Sequence, residues 1–244
     1  MNILRVALVW GSLAIVTGTS CAREGGSSST PVSTSLNTLS PADSAAGWRL
    51  LFDGRTTNGW RNFRQDSIST GWQVVDGGLT RAAPGAGDIL TRERFKNFEL
   101  ALEWKIAPSG NSGIFYRASE DDDAVYWTAP EMQVLDDASH PDAQSRLTAA
   151  GANYEIDSAP AGVVRPAGQW NQVRIVVNGS HVEHWLNGVK VVEYELGSPA
   201  WEAKVKASKF APHVHYGRNA EGYVGLQDHG DWVSYRNIKI LVLP

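Results

Sequence analysis

The chain has 244 residues, with 22 Lys and Arg against 26 Asp and Glu, for a formal net charge of −4. No Lys/Arg run occurs, which excludes a nucleic-acid partner held by phosphate neutralisation, since that needs clustered positive charge. A single cysteine excludes an internal disulfide framework, so core packing must hold the fold together.

Residues 1–21 read as an export signal: a short n-region with Arg5, an apolar stretch from Val6 to Val16, then small residues. The end of this segment, T-G-T-S-C, resembles a bacterial lipoprotein signal in which Cys21 is lipidated and becomes the new N-terminus. Gly18 stands where such signals usually carry Leu, which keeps plain secretion open as the alternative. Both readings place the protein outside the cytoplasm, either as a membrane-anchored lipoprotein of the periplasm or cell surface or as a secreted protein. Residues 22–46 are mostly Ser, Thr, Gly, Pro and Ala with almost no large apolar side chains, a composition that predicts a flexible tether. The remainder, 47–244, is about 200 residues, the size of one large β domain. No later stretch approaches the roughly 20 apolar residues that a membrane-spanning helix needs.

From Trp48 onward, short runs rich in Val, Ile, Leu, Phe, Tyr and Trp recur between turn residues: 71–79, 97–107, 112–118, 172–196 and 232–243. These read as strands. Asn178-Gly179 and Asn187-Gly188 are hairpin signals, because a type I′ turn needs positive φ at both central positions, so 172–196 reads as three consecutive antiparallel strands. Short helices fit only near Pro141–Ala150 and Pro199–Lys206. Many strands and few helices predict an all-β sandwich of two antiparallel sheets or a jelly roll. The chain's ten tryptophans suit either sugar stacking or the core of such a sandwich.

Four segments carry the candidate chemistry. In EMQVLD, 131–136, strand alternation points Glu131 and Gln133 the same way, and Asp136 joins them only if a bulge intervenes. The spacing is similar to the E-x-D-x-x-E signature of laminarinase-like retaining glycosidases, with two departures. Gln133 holds no charge, and Asp136 is one methylene shorter than the expected glutamate. In GNSGIFYR, 110–117, Asn111 and Arg117 have matching parity and suit a polyol or an oxyanion, although Arg117 could equally close a surface ion pair. In HVEHWLNG, 181–188, His184 is a weaker candidate. In LQDHG, 226–230, Gln227 and His229 share a face, and a neutral imidazole there suits a base near pH 7. His213 and His215 have the spacing of a strand metal pair but no third ligand by spacing. Glu131, Gln133 and His229 offer mixed O and N ligands for a divalent metal, without a closed coordination set. No G-x-S-x-G, H-E-x-x-H or P-loop occurs, which removes serine hydrolysis and phosphoryl transfer.

Taken in order, LLFDGRTTNGW (50–60), GWQVVDGGL, FELALEWKI (98–106), GNSGIFYR, EMQVLD, GQWNQVRI (168–175), HWLNG (184–188), SKF (208–210) and LQDHGDWVSYRNIKI (226–240) resemble the motifs of the 3-keto-disaccharide hydrolase family, long known as a domain of unknown function. The resemblance spans 47–244 and implies a concanavalin-like, laminarinase-like jelly roll. It also implies an exported enzyme acting on glycosides whose C3 hydroxyl a separate sugar 3-dehydrogenase has already oxidised. Matching positions include Glu131, Gln133, Asn111, Arg117, Gln227, His229 and Arg236. Pro130 departs from the family, where a glycine or aromatic is more usual, and favours an edge or bulge.

A C3 ketone makes the C2 hydrogen acidic, so one positioned base can remove it and the enediolate can expel the aglycone from C1, with water adding later. The implied catalytic residues are His229 or Glu131 as base. Gln133, Asn111, Arg117, Gln227, His184 and Lys209 form the substrate-binding set, with Arg117 and Asn111 or a divalent metal at the oxyanion. Two other readings stay open: a non-catalytic carbohydrate-binding module on a lipid tether, and a retaining glycosidase.

Overall fold

A computed structural model of the protein describes residues 35–244; the export signal, Cys21 and residues 22–34 lie outside the described residues. In chain order the strands are β1 (Arg49–Leu50), β2 (Trp60–Asn62), β3 (Trp72–Val75), β4 (Gly78–Arg81), β5 (Ile89–Phe95), β6 (Phe98–Ile106), β7 (Asn111–Ala118), β8 (Glu131–Leu135), β9 (Asn171–Asn178), β10 (His181–Leu186), β11 (Val189–Glu195), β12 (Gly222–Leu226) and β13 (Val233–Val242). Among the described residues two helices accompany them, α1 (Pro41–Ala45) and α2 (Pro199–Ala207), with short 3-10 turns at Val125–Trp127 and Pro141–Gln144. None of the described helices is long and apolar enough to cross a membrane.

The strands form two antiparallel sheets, a jelly-roll sandwich. The larger runs β11-β10-β9-β6-β13-β4-β3, with β1 added beside β13, and the smaller runs β2-β5-β12-β7-β8. Their register follows the sequence alternation. Along β6, Phe98, Leu100, Leu102, Trp104 and Ile106 are buried while Glu99, Ala101, Glu103 and Lys105 are only partly covered, the period of two expected of a strand with one face on a core. Ile114 and Tyr116 of β7, Met132 and Val134 of β8, and Val224 and Leu226 of β12 meet that face in one core. The other face of the smaller sheet carries a second, smaller cluster, Leu90 and Phe115 packed with Val125 and Ala129.

Both hairpin signals produce hairpins. Asn187 and Gly188 both have positive φ, at 49° and 83°, as a type I′ turn requires. At the other hairpin the turn falls one residue later than expected, on Gly179 and Ser180, with only Gly179, at φ 62°, in the left-handed region. The expected helix at Pro199 forms, capped by the Ser198 hydroxyl, which accepts from the Trp201 N–H, and it buries Trp201 and Val205 one turn apart. The one expected at Pro141–Ala150 is a single 3-10 turn followed by irregular chain.

The tether assignment needs correction over 35–46. This stretch carries α1, with a capping box between Ser40 and Asp43. Asn37, although polar, is buried: it exchanges two hydrogen bonds with Asn237, at 2.7 and 2.8 Å, and donates to the Gly77 carbonyl at 2.8 Å. A short polar side chain that satisfies backbone groups of two other segments lets an otherwise core-poor stretch dock on the sandwich.

Candidate active site

The site lies on the face of the smaller sheet turned away from the larger one. There β8 pairs with β7 so that Glu131 stands opposite Phe115 and Gln133 opposite Gly113. A Cβ at Gly113 would overlap the Glu131 carboxylate. The missing side chain is therefore what admits that carboxylate onto the neighbouring strand. Beyond β7, the N–H of Gln227 donates to the Gly113 carbonyl at 3.0 Å, just past the end of β12, and the Ser112 hydroxyl donates to the Gln227 carbonyl at 2.7 Å. Gln133, Gly113 and Gln227 thus form one row across three strands.

Above this row is a cavity of about 300 Å³. Its polar lining is Asn111, Glu131, Gln133, Gln227, His229 and Lys209, and its aromatic lining is Tyr126, Trp127, Tyr154 and Phe210. Six of the expected site residues therefore converge. Trp127 is braced flat against His213, with ring centroids 3.7 Å apart, and edge-on against Phe210 at 6.1 Å. Lys209 sits 4.2 Å from the Tyr154 ring centroid and 3.4 Å from the Glu155 carboxylate.

Burial pushes the Glu131 carboxyl up to about 8; the Lys209 charge opposes this, and Asp88 and Glu155 add repulsion. The group is therefore a neutral acid at pH 7. Gln133 donates from Nε2 to Asn111 Oδ1 at 3.3 Å, and Asn111 Nδ2 donates to Asp142 at 3.4 Å. Among the described residues, the Oε1 atoms of both Gln133 and Gln227 are buried without a partner. An unpaired buried acceptor costs about 1–3 kcal/mol, and a hydroxyl-bearing ligand supplies the missing donors.

Two expected binding residues lie elsewhere. Arg117 has φ 50°, which breaks the strand alternation on which its parity with Asn111 rested. Its guanidinium donates to the Lys96 carbonyl at 2.8 Å and to Asn97 at 3.3 Å. His184 alternates as expected with its neighbours, but toward the core between the sheets: Val182, His184 and Leu186 are all buried. There the Tyr194 and Tyr116 hydroxyls are 2.6 Å apart, Tyr116 is 2.7 Å from His184 Nε2, and His184 Nδ1 is 3.1 Å from the Gly151 carbonyl. A carbonyl only accepts, so Nδ1 carries the proton, Tyr116 donates to Nε2 and Tyr194 donates to Tyr116. Burial holds the imidazole down at about 4.

Asp136 is not a partner for Glu131. Its carboxylate accepts the N–H groups of Ser109 at 2.9 Å and Ala138 at 3.2 Å, closing a turn. Arg236 pairs with Glu103 at 2.6 Å and stacks 3.9 Å over Trp170 on the larger sheet. Neither His213 nor His215 is on a strand: His213 lies between two turns and His215 within one, and His213 binds Asp122 at 3.1 Å. Among the described residues, the one trio of His, Cys, Asp or Glu with ligand atoms within 4.8 Å is His181, Glu183 and Glu193. It lies on β10 and β11, where Lys190 already pairs with both glutamates at 3.2 and 2.6 Å. Glu131 and His229 belong to no such trio.

Sequence reasoning missed the four aromatic lining residues and Asp88. Tyr126-Trp127 follows the acidic run EDDD and reads as a loop, and a lone Trp reads most simply as core. Only the fold brings these rings against β8.

Residues 47–241 match the family described as the 3-keto-alpha-glucoside-1,2-lyase-like domain. A 3-keto-disaccharide hydrolase of Bacteroides thetaiotaomicron is 37% identical over 234 aligned residues, 83% of this chain and 80% of its own. A crystal structure from Parabacteroides distasonis ATCC 8503, provisionally assigned as a glycosyl hydrolase, superposes with a TM-score of 0.81 at 32% identity, covering 86% of this chain and all of that one. A second crystal structure from that organism, assigned in the same terms, gives 0.63 at 28% identity, covering 80% and 99%.

Proposed function

The chain belongs to the 3-keto-alpha-glucoside-1,2-lyase-like family, and from that premise we propose that it cleaves 3-keto-glycosides by removing the C2 proton and eliminating the aglycone from C1. The observation that carries this reading is a buried carboxyl, Glu131, lining a cavity beside two amide oxygens that have no partner among the described residues. A retaining glycosidase needs two carboxyls about 5–5.5 Å apart, and the carboxylate of Asp136 is committed to Ser109 and Ala138.

Elimination needs less. His229 is the base that takes the C2 proton, leaving an enediolate over C2 and C3. As the C1–O bond breaks, C1=C2 forms, the C3 ketone returns, and the aglycone oxygen takes the proton of Glu131. His229 then loses its proton and Glu131 regains one, restoring the site. Water adding across C1=C2 makes the net outcome hydrolysis. Lys209 provides positive charge near the developing oxyanion, where a well-placed donor is worth about 3 kcal/mol. Gln133 and Gln227 accept sugar hydroxyls, and the rings of Trp127 and Tyr126 offer faces on which a sugar or aglycone stacks.

An enzyme that oxidises the C3 hydroxyl must supply the substrate. The segment 1–21 supports placing the protein outside the cytoplasm, with Cys21 as a lipid anchor. Labelled fatty acid should enter the parent and not Cys21→Ala; equal labelling of the two contradicts the anchor. For the activity, purified protein is incubated with a 3-keto-glucoside and its unoxidised parent. Cleavage of the keto sugar alone is the expected result. Cleavage of the parent sugar would support a glycosidase, and binding without cleavage would support a carbohydrate-binding module.

A further inference from the structure

The turn that carries Gln227 and His229 is tied down from a distant part of the chain. Asp88, immediately before β5, accepts the N–H of Asp228 at 2.9 Å. Asp228 in turn accepts the N–H of Gly87 at 2.7 Å, the N–H of Gly230 at 3.0 Å and Arg81 Nε at 2.6 Å. Each carboxylate thus reads the other segment's backbone, and 87–88 and 228–230 are laced together. The residues on either side of Asp228 are the two pocket-lining side chains.

His229 has little else to fix it. Its side chain is exposed, and the next residue is Gly230 at φ 100°, a conformation from which glycine moves freely. Among the described residues Asp88 has no ion-pair partner, and the nearby Arg81 is bound to Asp228. Burial, with the Asp228 charge beside it, pushes the Asp88 carboxyl up to about 6 against the stabilising hydrogen bond. The Asp88 charge is felt in turn by Tyr126, Glu131 and Tyr235, whose ionisation it disfavours. Asp88 is half-buried, and among the described residues its carboxylate makes one hydrogen bond, which goes to the peptide beside His229.

We propose that Asp88 is a positioning residue, holding the Asp228 peptide so that the His229 ring is presented to the pocket. This rests on His229 acting as the base. Losing the acceptor leaves the Asp228 N–H unpaired and releases the turn, and a displacement of about 1 Å at a catalytic group can cost up to a hundredfold in rate.

The test measures kcat and KM on a 3-keto-glucoside for Asp88→Ala and Asp88→Asn, each alone and with His229→Ala, alongside thermal unfolding. Asp88→Ser replaces Asp88→Ala where the latter does not fold. The expected result is a kcat about tenfold lower in Asp88→Ala with KM within about twofold, and near-parental kcat in Asp88→Asn, which keeps the acceptor. In the His229→Ala background, Asp88→Ala should cause no further loss, because its effect runs through the missing ring. Parental kcat in Asp88→Ala, or the same loss in both backgrounds, overturns the proposal. Parental rate in His229→Ala alone overturns the base assignment instead, and the positioning role falls with it.

Discussion

The Glu131 carboxylate occupies the space that a side chain on Gly113 would fill, one strand away on β7. The glycine is there for room, since its φ is not in the left-handed region. Gly113→Ala should therefore displace the carboxylate and lower kcat by at least tenfold, while the strand, whose backbone pairing is unchanged, stays folded. Steady-state kinetics with circular dichroism checks this; a parental rate would mean that Glu131 does not work from this position.

Glu131 also sets a pH dependence. Its carboxyl is near 8 in the folded protein against 4.5 for a free one, so the folded state holds a proton that the unfolded state gives up above 4.5. The stability this group contributes is fully present below 4.5 and is lost as pH rises to about 8. Glu131→Gln, which stays neutral, should unfold several degrees higher than the parent at pH 8, with the difference shrinking toward pH 4.5. Turnover should fall as pH rises through about 8 in the parent, and kcat in Glu131→Gln should be at least tenfold lower below that pH, with the gap narrowing above it.

His184 acts in the opposite sense and outside the site. Its imidazole is held near 4 against an ordinary 6.5, so the stability it contributes is present above 6.5 and is lost as pH falls toward 4. His184→Leu strands the Tyr116 hydroxyl and the Gly151 carbonyl, the two groups that His184 satisfies. It should cost about 2–5 kcal/mol in urea unfolding at pH 7.5. Residual folded enzyme should keep its KM; a KM raised tenfold in folded protein would return His184 to the binding set.

Asp136→Asn separates the elimination reading from the glycosidase one. Among the described residues the carboxylate accepts only from Ser109 and Ala138 backbone, and an amide oxygen can replace part of that. Stability should drop by about 1–2 kcal/mol and kcat should stay within about twofold. A loss of a thousandfold would mean that Asp136 reaches the substrate.

Much of the fold was legible because local chemistry and tertiary structure agree. The alternation of 98–106, the Asn187-Gly188 turn and the shared face of Glu131 and Gln133 all appear as expected. Parity alone does not say which face is the core, and this is where His184 was misplaced: it alternates correctly with Val182 and Leu186, toward the interior. Arg117 was misplaced because one left-handed residue inside a strand reverses parity, and nothing in F-Y-R-A announces it. Asn37 and Asp88 were invisible for another reason. Each matters through a partner far along the chain, Asn237 and Asp228, and no local pattern encodes such a pairing.

The most direct test of the central claim uses a 3-keto-glucoside carrying deuterium at C2, with the parent protein and His229→Ala. The account predicts a several-fold slower turnover of the labelled sugar by the parent protein, loss of the label to solvent, and a rate at least tenfold lower in His229→Ala. Cleavage at equal rates for labelled and unlabelled substrate, with deuterium retained at C2 in the product, would contradict it.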